Sequence, residues 1–68
     1  MITHKVGQRI KEFRTKMGIS QEKLALKAEI DRTYLAGVES GKRNLSIISL
    51  EKIVNALDVS FSEFFKEI

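Results

Sequence analysis

Gln21-Glu-Lys-Leu-Ala-Leu-Lys-Ala28, Glu29-Ile-Asp31 and Arg32-Thr-Tyr-Leu-Ala-Gly-Val-Glu-Ser40-Gly41 form one unbroken run. Leu24, Ala25 and Ala28 in its first part, and Leu35 and Val38 in its last, recur at spacings of three and four. Each part therefore predicts a short helix with one apolar face, and the three residues between them predict a tight turn. The outward face of the second helix would carry Arg32, Thr33, Ala36, Gly37 and Ser40. A cation, hydroxyls and small residues allow a helix to lie close against a nucleic-acid groove, where an ordinary solvated face would carry long charged side chains. Two core-packing helices of a small bundle would account for the apolar faces but not for that outer one. The pattern predicts a DNA-reading helix-turn-helix over about 21–40.

Outward from this run, the boundaries of further helices carry their own chemistry. Thr3 to Met17 predicts a first helix, with Val6, Ile10, Phe13 and Met17 on one stripe and Gly18 as its stop. Ser20 and Asp31 are the predicted N-caps of the two central helices, and Ile19 and Ile30 are placed to staple onto Leu24 and Leu35. After the loop Lys42-Arg-Asn-Leu45, Ser46 would cap a fourth helix. Its Ile47, Leu50, Ile53, Val54 and Leu57 keep helical spacing up to Asp58. Ser60-Phe-Ser-Glu63 reads as a capping box opening a short last helix that carries Phe61, Phe64, Phe65 and Ile68. The expected fold is all-α: a compact single domain over 1–68 with five helices, no strands and no repeats.

Sixty-eight residues lie near the length at which one core is only marginally stabilising, so efficient packing or a partner subunit must help. Hydrophobic residues make up 43% of the chain and proline is absent, which excludes a disordered segment. The absence of cysteine excludes disulfides and thiolate metal sites. Met1-Ile-Thr-His-Lys5 has no apolar run behind it and nowhere do 18 apolar residues follow one another. The expectation is a cytoplasmic chain with no membrane partner.

The net charge of +3 is unevenly spread. Residues 1–17 hold five Lys/Arg against one acid, residues 18–44 five against four, and residues 45–68 two against four. A basic amino-terminal part and an acidic carboxy-terminal third predict one surface for phosphates and another for a different contact.

Phosphate contacts are expected from Gln21, Lys42, Arg43 and Asn44, with Lys5 and Arg9 as more distant candidates. Gln21 opens a helix whose free N–H groups already favour an anion. Lys42 and Arg43 follow the reading helix directly, which favours a groove edge over a merely solvated loop. Asn44 either meets a phosphate or satisfies the turn before Ser46. Arg32 is the expected reader of guanine O6 and N7, and Thr33 offers a methyl or a hydroxyl to base edges. Tyr34 either packs beside Val38 or reaches a sugar or phosphate. Gly37 costs roughly 1 kcal/mol in a helix interior relative to alanine, so it marks close approach either of DNA or of another helix.

Three of the four phenylalanines crowd the last eight residues. So short a helix does not easily bury three rings, which predicts a homodimer interface over about 47–68 with Ile47, Phe61, Phe64 and Phe65 in it. The other reading is a self-contained core. No catalytic set emerges. The single His4 has no second ligand for a metal and reads as a surface residue, and Ser20, Ser46 and Ser60 are explained as caps. No enzymatic activity, cofactor or metal is expected.

Gly18-Ile-Ser-Gln-Glu-Lys-Leu-Ala25 together with Tyr34-Leu-Ala-Gly-Val-Glu-Ser-Gly-Lys-Arg43 resembles the lambda-repressor and Cro helix-turn-helix family over nearly the whole chain. Asp31 to Ser46, followed by a helix ending Ala56-Leu57-Asp58, is most similar to the controller proteins of restriction–modification systems. That resemblance implies a homodimer at paired palindromic operators in double-stranded DNA, activating at one occupancy and repressing at a higher one, with RNA polymerase as a further candidate partner. It implies DNA contacts by Gln21, Arg32, Thr33, Tyr34, Arg43 and Asn44, and a buried ion pair between Arg14 and Glu39. Two positions depart from the pattern. Gly37 stands where several repressors present a base-reading side chain, and Ser40, also a DNA-contact candidate, stands where controllers often have arginine. The alternative function is an antitoxin-type interaction module whose 61–68 surface meets a non-identical partner.

Overall fold

The computed structural model describes residues 1–68, which fold into five helices: α1 (Ile2–Lys16), α2 (Gln21–Ala28), α3 (Arg32–Glu39), α4 (Ile47–Ala56) and α5 (Phe61–Phe64). Four helix starts carry the cap expected of them. Ser20 Oγ accepts from the Lys23 N–H at 3.1 Å and Asp31 Oδ2 from that of Tyr34 at 3.2 Å. Ser46 Oγ and Ser60 Oγ accept from Ser49 and Glu63 N–H groups, each at 3.0 Å. One such cap contributes about 1 kcal/mol, a real fraction of the stability of so small a domain. Only the serine half of the expected capping box at Ser60 forms.

α1 ends with Gly18 in the left-handed conformation (φ 73°). The turn between α2 and α3 has no glycine: Glu29 itself adopts φ 58° and returns its N–H to the Leu26 carbonyl at 3.2 Å. α4 stops two residues short of Asp58, which takes φ 61° and so cannot continue it.

Twelve side chains make one core, to which every helix contributes. Ile10, Leu24, Leu35, Ile53 and Phe64 are each fully enclosed. α3 packs against α1 and α2, and α2 also packs against α4, so the central pair is held from both sides. The approach of α1 to α3 is set by Gly7, which is buried. A methyl there would overlap the Val38 carbonyl oxygen and lie 3.0 Å from that of Glu39.

Phe64 is not an interface residue. It is 0% exposed, stacks on Phe13 with centroids 5.9 Å apart and meets Phe65 edge-on at 5.0 Å. α5 is short enough to present a single inward ring, and Phe64 is that ring. Arg9 likewise is not a free phosphate ligand. Its Nε donates to the Phe64 carbonyl at 2.8 Å, and its Nη2 to those of Lys66 and Glu63 at 2.9 and 3.2 Å. The last carbonyls of a helix lack intrahelical partners, and a guanidinium answers those at the end of α5. Ile47, which the spacing also placed on the apolar stripe of α4, is 81% exposed.

Candidate nucleic-acid interface

Asp31 places Arg32 and Thr33 as the first two residues of α3, both exposed. Behind them Leu35 and Val38 anchor the helix in the core, and Ala36 and Gly37 are half-buried. The surface of α3 away from the core therefore begins with a cation and a hydroxyl, at the end of a reading helix that meets base edges.

One edge of this surface is fixed by a buried carboxylate. Glu39, its side chain 3% exposed, accepts from Arg14 Nε at 2.8 Å through Oε2 and from Arg14 Nη2 at 3.1 Å through Oε1. Gln21 Nε2 donates to the same Oε1 at 3.1 Å, and Arg14 Nη1 donates to the Ile19 carbonyl at 2.8 Å. Four donors thus tie α1, the start of α2 and the end of α3 together. One N–H of the Gln21 amide is committed to Glu39, which leaves its second N–H and the helix-start N–H groups as the donors this residue can offer an anion. Sequence alone points only to a phosphate role for Gln21. Its register against Glu39 becomes visible only when the two helices are packed.

The other edge is the loop after α3. The Gly37 carbonyl accepts from the Lys42 N–H at 3.0 Å, the Arg43 N–H at 3.1 Å and Ser40 Oγ at 3.0 Å. Ser40 therefore spends its proton on its own helix and presents no donor to a phosphate. Lys42, Arg43 and Asn44 are exposed. The Arg43 guanidinium carbon lies 5.1 Å from the centroid of the half-buried Tyr34 ring, and Tyr34 Oη donates to the Asn44 carbonyl at 3.3 Å. The turn before Ser46 is thus held through the backbone of Asn44. Lys5, one turn from the start of α1, is exposed and lies outside both networks.

Large apolar side chains are exposed in the carboxy-terminal third. Ile47 is 81% and Ile48 69% exposed, and Phe61 and Phe65 are 43% and 37% exposed. A cleft of about 360 Å³ is lined by Val6, Val38, Leu45, Leu50 and Phe65 and also by Arg43 and Asn44, so it adjoins the loop after α3. Ile48 was missed in the sequence, although an isoleucine off the stripe of its own helix is a usable signal. His4 is exposed and lies over Gly41, where an added Cβ would be 2.6 Å from its ring. No group of three or more His, Cys, Asp or Glu side chains is arranged to hold a metal.

A family profile described as helix-turn-helix matches residues 10–64. Control protein C.MunI of a Mycoplasma species is 43% identical over 63 residues, spanning 91% of this chain and 85% of that protein. Among solved structures, the restriction-modification controller protein C.AhdI from Aeromonas hydrophila superposes with a TM-score of 0.88 at 46% identity, over 93% of this chain and 96% of that one. The C.Esp1396I controller, solved as a tetramer in complex with its 35 base-pair operator, gives 0.92 at 45% identity over 97% and 87%.

Proposed function

The chain belongs to the helix-turn-helix family, and from that premise we propose that it is a homodimeric controller of restriction–modification genes, binding palindromic operators as activator and repressor. The observation that carries this reading is the α3 surface, with exposed Arg32 and Thr33 at its start and the Tyr34, Arg43 and Asn44 cluster at its flank. Arg32 and Thr33 read bases. Gln21, Lys42, Arg43 and Asn44 hold the sugar–phosphate backbone, and Tyr34 lies at the DNA surface. The helix-turn-helix spans about 21–40 and the dimerising part about 47–68, where Ile47, Ile48, Phe61 and Phe65 supply the apolar contact. Operator-bound C.Esp1396I and the 43% identity to C.MunI support a controller over an antitoxin-type module. No helix is long and apolar enough to cross a membrane, and a DNA-bound regulator works in the cytoplasm.

Base and phosphate contacts leave different signatures in binding. Arg32→Ala is expected to weaken operator binding by about 1 to 3 kcal/mol while leaving random-sequence binding nearly unchanged. Arg43→Ala should weaken both and lower the slope of log affinity against log salt by about one. Titrations on operator and random duplexes at several salt concentrations separate the two, and identical profiles would refute the division of roles.

A further inference from the structure

We infer that Gly37 is a positioning residue for DNA binding, acting through Arg43: its missing side chain is the space that lets Arg43 lie along α3 and reach the Tyr34 ring. The inference rests on the proposed role of Arg43 at the DNA backbone. A methyl on Gly37 would overlap Arg43 Cγ and sit 3.3 Å from Arg43 Cβ, so the arginine could not keep its path. Neither DNA nor another helix has to be invoked to explain the glycine, because the space is already filled from within the chain. The Gly37 carbonyl adds a second constraint. It takes the N–H groups of both Lys42 and Arg43, which fixes the backbone from which the arginine leaves.

The result is a preorganised cation. Arg43 is exposed, its guanidinium is 5.1 Å from the Tyr34 centroid, and Tyr34 is itself anchored to the Asn44 carbonyl. Contact through the ring face uses none of the five N–H donors, which stay available for a phosphate. An arginine already held in place loses less rotamer freedom on binding than one sampling solvent. Gly37 thus trades helix propensity for a fixed cation at the groove edge.

The test is a double-mutant cycle on the operator duplex, with Gly37→Ala, Arg43→Ala and the double variant titrated at several salt concentrations. Gly37→Ala is expected to lower operator affinity by about three- to tenfold, the range set by freeing one long side chain. It should also lower the salt slope toward that of Arg43→Ala. In the Arg43→Ala background the same change should cost nothing, because the residue it acts through is gone. Its melting midpoint should hold or rise, since alanine favours the helix. Should the midpoint fall instead, affinities measured at temperatures where every variant is folded still decide the cycle. An equal loss in both backgrounds would mean that the methyl obstructs DNA itself, and no loss would mean that Arg43 needs no positioning. Either overturns the inference. If Arg43→Ala alone left affinity and slope unchanged, the phosphate role on which the inference rests would fall first.

Discussion

Arg14→Ala is expected to destabilise the domain by about 3 to 5 kcal/mol, the cost of leaving a buried charge without its partner. Glu39 would be left 3% exposed with only the Gln21 amide to answer it. A domain of this length holds on the order of 3 to 10 kcal/mol in total, so much of the population should be unfolded at ordinary temperatures. Glu39→Ala strands Arg14 instead. That side chain is 11% exposed and keeps its bond to the Ile19 carbonyl, so the loss should fall at the lower end of the range. Thermal melting of the two variants checks both size and order. An unchanged midpoint for Arg14→Ala would show that the carboxylate is solvated. The lesion should also reach binding, because the same carboxylate sets the entry of α2 and the end of α3.

Phe64→Ala should cost a similar 3 to 5 kcal/mol through the cavity left against Phe13. Its ring is fully enclosed, and the same residue's carbonyl receives Arg9, so α5 would be loosened at its only inward anchor. Ile47→Glu should behave in the opposite way. At 81% exposure it disturbs no core, and an acid at the first position of α4 suits the helix dipole. It should melt as the parent does yet sediment as a monomer, with operator affinity reduced far more than random-DNA affinity. A dimeric Ile47→Glu that binds normally would move the subunit contact off α4. A Phe64→Ala chain of unchanged midpoint would contradict the burial of that ring.

Phe64 shows where sequence falls short. Helix number, the four capping residues and the apolar faces of α2 and α3 follow from local chemistry, and all were legible along the chain. Ile47 and Phe64 both look like interface residues from crowding of apolar side chains alone. Crowding says that surface is in surplus but not which ring turns inward, which depends on where α5 lies against α1. Arg9 and Gly7 were opaque for the same reason. Arg9 serves carbonyls more than fifty residues away, and Gly7 matters because of the backbone of Val38 and Glu39. Gly37 stands out in the sequence as an anomaly, whereas the occupant of its space, an arginine from the following loop, emerges only in three dimensions.

A body 26 × 23 × 21 Å carries one reading helix of eight residues, which spans only a few base pairs. Two copies side by side about a two-fold axis would place their reading helices at a separation comparable to one turn of DNA, roughly 34 Å. Selection of bound duplexes from a random-sequence pool measures that spacing directly and yields the operator motif at the same time. The parent chain should enrich an inverted repeat whose half-site centres lie about 10 base pairs apart, and Arg32→Ala should fail to enrich it. Enrichment of no motif, or of the same motif by Arg32→Ala, would contradict sequence reading by α3.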